Sequence, residues 1–245
     1  METHVSGVLA VFRRRTEEGI QALRHSLLRA TREPERAGYL LAADLNTWTP
    51  LLGQERLKRL AKPMLMPLLS GRVLRSPASA AEKSVALLGL AGGCFGDVIL
   101  LQPGKLPQGA LGFGINHLAY LWLLWQRGAR PSTTRIMVRA VPLAMAVGLV
   151  ARKRPRLVPV AAGYGSLLAA VSALGDDPAL LRESIPTLGL GHGGNLFLLS
   201  DALLIGRELL LGREGWPAKL ADAGVMGTYT IAQMLLVDGL FPDGK

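Results

Sequence analysis

Apolar runs of about twenty residues alternate with short basic clusters along most of this chain. A helix needs about 20 largely apolar residues, each rising about 1.5 Å, to cross the hydrocarbon core of a bilayer. Five stretches satisfy that rule: 84–102, 106–125, 157–174, 185–205 and 224–241. A sixth, 136–151, is shorter, but Arg135 and Arg152 at its ends have stems long enough to carry their charges to opposite interfaces. Residues 61–74 and 37–52 complete the set as weaker segments, the second interrupted by Asp44 and Asn46. The pattern predicts an all-α, polytopic membrane bundle of eight transmembrane helices over residues 36–242.

The first 35 residues read differently. Val5, Leu9, Phe12, Ile20, Leu23 and Leu27 form one stripe at helical spacing, broken at Thr16, with Arg13, Arg14, Arg15, Arg24 and Arg29 largely off it. This pattern fits a basic amphipathic helix at a membrane surface, or a solvated helix capping the bundle. A secretory signal is disfavoured, because the basic residues follow the short apolar stretch instead of preceding it. Over eight helices the basic residues lean toward the side of the N-terminus, which places that side in the cytoplasm.

Composition agrees. Hydrophobic residues make up 49% of the 245, yet Lys and Arg number 28 against 18 Asp and Glu, a net charge of +10. Mean hydropathy is +0.29. A pI near 10.3 alone would admit nucleic acid as a partner, but no basic face with aromatics and no recognition motif is present, so none is expected. The single cysteine, Cys94, excludes an intrachain disulfide. The abundance of Ala, Leu, Gly and Arg suggests a bacterial cell membrane.

Two carboxylates break the apolar runs: Asp97 in "GGCFGDVILL" and Asp201 in "NLFLLSDALLIG". On insertion scales an acid at the centre of a membrane helix costs about 2.5 to 3.5 kcal/mol, so each needs a partner or a cavity. Asp97 follows Gly93 by four residues on a small-residue face that invites a neighbouring helix, and so points into the bundle. Asp201 shares a face with Phe197 and Gly194. Further polar residues at membrane depth are Lys62, His117 with Tyr120, Tyr164, His192 with Asn195, and Tyr229 with Gln233. A zinc site is not expected, since His192 and Asp201 lie nine residues apart and face opposite sides of an unbroken helix. No phosphate-binding loop, nucleophile elbow or other cofactor motif appears.

Two acids in a dry site suit hydrolysis through an oxocarbenium ion, one giving a proton and the other receiving one, as in glycosidases. The residues alone leave open which acid does which. A proton-coupled transporter, or a lipid-binding membrane protein without enzymatic activity, is the alternative, since intramembrane acids also mark proton pathways.

The order "AKPMLMPLL", "GGCFGDVILL", "GFGINHLAYLW", "YGSLLAAV", "GGNLFLLSDALL", "TYTIAQMLL" resembles the YhhN family of integral membrane proteins over about Ala61 to Leu240. The resemblance implies an eight-helix membrane fold and a lysoplasmalogenase-like activity. That reaction cleaves the vinyl-ether bond of lysoplasmalogen, or of a related lysophospholipid, to a fatty aldehyde. It also implies that the two catalytic acids are Asp97 and Asp201. Lys62, His117, Tyr120, Tyr164, Asn195, Tyr229 and Gln233 are the candidates to bind substrate or support the acids.

Overall fold

A computed structural model describes residues 2–181, 184–212 and 215–243, with helix and turn but no strand among them. The helices are α1 (Glu2–Leu28), α2 (Pro34–Leu52), α3 (Glu55–Ala61), α4 (Leu65–Arg75), α5 (Ala80–Ile99), α6 (Leu106–Gln126), α7 (Thr133–Lys153), α8 (Val158–Gly175), α9 (Gly189–Leu210) and α10 (Trp216–Leu240). Every apolar segment of the sequence is thus helical. Local chemistry sets several ends. Ser79 and Glu82 form a reciprocal capping box at the start of α5, and Gly53 ends α2 at φ 68°.

Helices α2, α4, α5, α6, α8, α9 and α10 follow one another round a closed ring, each packed on the next and α10 back on α2. Helix α7 packs outside the ring on α8 and α9, while α1 contacts α9, α10 and the Pro186–Leu188 turn. Ion pairs gather alternate helix ends at α1. Arg29 and Arg72 meet Asp243 at 2.7 and 2.9 Å, Arg36 pairs with Asp238, and Arg127 lies 3.6 Å from Glu82. Asp177, just past α8, accepts from the Arg130 backbone N–H at 2.8 Å and from Arg135 at 2.9 Å. Successive segments therefore enter and leave the ring in opposite directions.

Glycine allows the tightest helix contact. A Cβ on Gly112 of α6 would lie 2.6 Å from the Gly92 carbonyl oxygen of α5, and one on Gly92 would lie 2.7 Å from that of Gly112. The backbones touch directly, as small-residue interfaces permit.

Several polar residues share the apolar interior, and large apolar side chains also face outward. Asp97, Asn116, His117 and Gln233 are buried, while Leu88 and Phe95 of α5, Leu111, Leu118 and Trp125 of α6 and Met145 of α7 are exposed. Among the described residues, four helical stretches are long and apolar enough to cross a membrane: 133–153, 155–175, 186–210 and 216–240. The expected eight are not met on that measure. Glu82, Lys83 and Asp97 load α5 with charge, Gln108, Asn116 and His117 temper α6, and Arg36, Asp44 and Asn46 interrupt α2. Residues 55–75 are divided between α3, a turn and α4, whose eleven residues rise about 16 Å.

Two outcomes test this packing. Gly112→Ala forces a Cβ into backbone and is expected to lower stability by about 1–3 kcal/mol. Gly148→Ala in α7, with nothing within 4 Å, should be neutral or gain up to about 1 kcal/mol. Thermal unfolding in detergent compares them.

Acidification should loosen the stitched end. Partial burial raises the Asp177 carboxyl, but its backbone bonds and Arg135 outweigh that and hold it below the usual 3.8. A lowered carboxyl contributes stability that is present above its unfolded value and lost as pH falls through the folded one. Unfolding measured against pH should therefore show a decline below about pH 4 that Asp177→Asn reduces.

Candidate functional site

Asp97 lies two residues before the end of α5, nearer the end of that helix than its middle. It is 1% exposed. The Tyr229 hydroxyl of α10 donates to its Oδ2 at 2.7 Å, and Lys62 Nζ stands 3.6 Å from its Oδ1. Lys62 belongs to the turn Lys62–Met64 between α3 and α4. There the Pro63 carbonyl accepts the Cys94 thiol at 3.4 Å, fixing the turn against α5. Gly93, one turn before Asp97, faces Met66 of α4 and Asn116 of α6. Three elements thus converge on one carboxylate, whose Oδ1 faces the Lys62 ammonium.

Asp201 sits mid-way along α9 and is half-buried. Its partner is the Tyr164 hydroxyl of α8, at hydrogen-bonding approach. Tyr164 Oη is also 3.2 Å from His117 Nε2 of α6. When Tyr164 donates to Asp201, its oxygen accepts from His117, leaving Nδ1 as the lone-pair nitrogen. That Nδ1 is buried and finds no hydrogen-bonding partner among the described residues.

The two acids do not touch. Aromatic rings link their surroundings: Tyr229 packs edge-to-face on Phe197 at 5.4 Å and on Phe113 at 5.7 Å. Phe197 packs on His117 at 4.7 Å, and His117 on Tyr164 at 5.3 Å. Each acid is therefore held by its own phenol, and Phe197 and His117 join the two phenols into one layer.

Tyr120 and Gln233 lie next to this layer. The Tyr120 hydroxyl donates to Gln233 Oε1 at 2.5 Å, and Gln233 Nε2 donates to Asn116 Oδ1 at 3.0 Å. Gln233 of α10 thus bridges Tyr120 and Asn116, tying α6 to α10.

Of the nominated residues, Lys62, Tyr229 and Asp97 stand together. His117, Tyr164 and Asp201 also stand together, and Tyr120 pairs with Gln233. Asn195 does not join them. It accepts from Ser172 at 2.8 Å and from Arg139 at 3.0 Å, in a separate cluster where Arg139 also reaches Asp176 at 2.7 Å. The reason is angular: Asn195 lies six residues before Asp201, about 600° round the helix and so about 120° away from it. His192 likewise faces away, donating Nε2 to the Arg15 carbonyl at 2.7 Å. Sequence reasoning passed over Asn116, Phe113 and Phe197 as site residues. Asn116 was visible as an amide inside an apolar run, whereas the two phenylalanines carried no signal distinguishing them from ordinary core. Among the described residues no group of three His, Cys, Asp or Glu side chains gathers to hold a metal.

The ring of helices with acids and phenols turned inward defines a polytopic helical protein whose outer faces suit lipid. The YhhN family model matches residues 57–240, and the chain belongs to the YhhN family. No curated protein and no solved structure matches it. The match takes in α4 to α10 entire and leaves α1 and α2 before it.

Independence of the two acid–phenol pairs is measurable. In double-mutant cycles on unfolding, Asp97→Asn with Tyr229→Phe should couple by about 0.5–3 kcal/mol, while Asp97→Asn with Tyr164→Phe should add within about 0.5 kcal/mol. Equal coupling in both cycles contradicts this arrangement.

Proposed function

We propose that this protein hydrolyses the vinyl-ether bond of lysoplasmalogen, or of a closely related lysophospholipid, by acid–base catalysis between Asp201 and Asp97. The observation that carries the reading is the pair of carboxylates on α5 and α9, Asp97 buried and bonded by Tyr229 and Asp201 half-buried beside Tyr164, with one aromatic layer joining their surroundings. Family membership supports it at the level of the family alone.

A vinyl ether has no leaving group that demands a covalent nucleophile. One carboxylic acid donates its proton to the double-bond carbon remote from oxygen. The π electrons form that C–H bond, and an oxygen lone pair stabilises the cation left on the adjacent carbon. Water adds to that carbon and gives its proton to the second carboxylate. The hemiacetal then breaks its bond to the glycerol oxygen, which takes a proton, yielding a fatty aldehyde and a glycerophospho-alcohol. Lys62 is a cationic neighbour for Asp97, which suits the carboxylate that receives the proton from water. Asp201 has the neutral Tyr164 beside it and suits the acid. The lone-pair Nδ1 of His117 and Oδ1 of Asp97, both buried without hydrogen-bonding partners among the described residues, offer acceptors for the attacking water or for substrate hydroxyls. The flat apolar faces of Phe113 and Phe197 suit the alkenyl chain.

Purified protein given lysoplasmalogen should release aldehyde. Asp97→Asn and Asp201→Asn should each lower turnover by about 10²–10⁴-fold while the protein stays folded. Lys62→Met should lower it less. Unchanged turnover in either Asp variant refutes the mechanism, and absence of aldehyde from every vinyl-ether lysolipid refutes the activity. The polar positions Tyr229, Gln233 and Asp238 along α10 favour a second reading, proton transport. Acidification of proteoliposomes without aldehyde release would support it.

A further inference from the structure

Helix α1 shows three faces. One docks on the bundle: Arg15 pairs with Asp176, its carbonyl accepts from His192, Gly19 lies against the His192 ring, and Ala22 and Ser26 are fully buried. Arg29, just beyond, reaches Asp243. The docked face is thus made mainly of small and polar residues, with Leu23 of the stripe half-buried at its edge. The rest of the apolar stripe is left out, with Leu9 62%, Phe12 72%, Ile20 60% and Leu27 43% exposed. At about 100° per residue those four fall within an arc of about 80°, centred about 100° from the docked face. A third face, a further ~90° round, carries exposed Arg13, Arg14 and Arg24, the first two paired with Glu17 and Glu18.

We propose that α1 lies in the plane of the membrane interface, with Leu9, Phe12, Ile20 and Leu27 inserted among lipid chains and Arg13, Arg14 and Arg24 among anionic headgroups. Lipid is the occupant for two reasons. First, α1 contacts α9, α10 and the turn at their end of the bundle, so a face turned sideways from that docking continues the apolar outer surface of the ring. Second, the remaining face is basic, complementary to an anionic leaflet, and each arginine near such a surface contributes about 1 kcal/mol. A helix that docks by its polar side while exposing its apolar side has the arrangement of an interfacial anchor, not of a solvated cap. This helix lies outside the matched family region, and the inference does not depend on the proposed reaction.

The test is depth measured on the full chain in lipid vesicles. Spin labels are placed at Phe12→Cys, Ile20→Cys and, on the basic face, Gln21→Cys, in a Cys94→Ala background or in Cys94→Ser if the alanine variant does not fold. Collisions with dissolved oxygen, which favours lipid, are compared with those of a water-soluble nickel chelate. Oxygen should dominate at positions 12 and 20 and the chelate at 21, with greater depth in phosphatidylglycerol-containing vesicles than in phosphatidylcholine alone. Chelate-dominated collisions at 12 and 20 would overturn the proposal in favour of a solvated helix. Protection from both reagents would overturn it in favour of a second protein surface. Equal depth in the two lipids would overturn the role given to the arginines.

Discussion

The hydrogen bond from the Tyr229 hydroxyl to Asp97 joins α10 to α5 across the interior of the ring. In a low-dielectric interior a carboxyl without a partner costs several kcal/mol, so this contact decides where the two helices sit relative to one another. Its geometry requires α5 to lie close enough to its neighbours for Asp97 to face inward, and the glycine contact between Gly92 and Gly112 supplies that. Bulk at those positions would move α5 outward and separate the acid from both Tyr229 and Lys62. The same rule acts on α9, where Gly194 would place a Cβ 2.6 Å from Ser172 Cα of α8, and Asp201, seven residues on, meets Tyr164 of that same helix.

The bundle divides its polar chemistry by location. Ion pairs formed by arginines stitch the helix ends near α1 (Arg29, Arg36 and Arg72 with Asp238 and Asp243, Arg135 with Asp177) and fix the alternating course of the chain. Further along the ring the polar groups are neutral or singly charged, each with few partners. Asp97 Oδ1 and His117 Nδ1 find no hydrogen-bonding partner among the described residues. The stitched end is charged and the acid–phenol region largely neutral, and buried polar atoms without hydrogen-bonding partners among the described residues occur in both, Asp238 Oδ2 and Arg36 Nη1 among them at the stitched end. The family assignment rests on the region that holds these acids, not on α1.

Much of the fold was legible because hydrophobic run length is a local property: every apolar segment proved helical, and 106–125 matched α6 to within one residue. Crossing ability was less legible. The short, proline-punctuated stretch that opens with Lys62 resolved into a turn and an eleven-residue helix. The inward direction of Asp97 followed from Gly93, since both statements concern one helix. Which phenol serves which acid did not, because Tyr229 and Tyr164 reach their levels through packing between segments distant in sequence. Asn195 was misplaced for the related reason that proximity to Asp201 along the chain is not proximity round the helix. Arg139 was the missed signal: a charge inside the apolar stretch 136–151, as anomalous there as Asp97 in its own run, and satisfied by Asp176. The docking of α1 by its polar side was illegible in the stripe alone, which shows a face but not what covers it.

The central claim is that the acids on α5 and α9 frame one site with the aromatic layer between them. An experimental structure with a non-hydrolysable 1-O-alkyl lysophospholipid tests it most directly. The account predicts the ether oxygen against Phe197, with Asp97 and Asp201 both facing the first carbons of the alkyl chain. A ligand seated elsewhere, or reached by only one of the two acids, would contradict it.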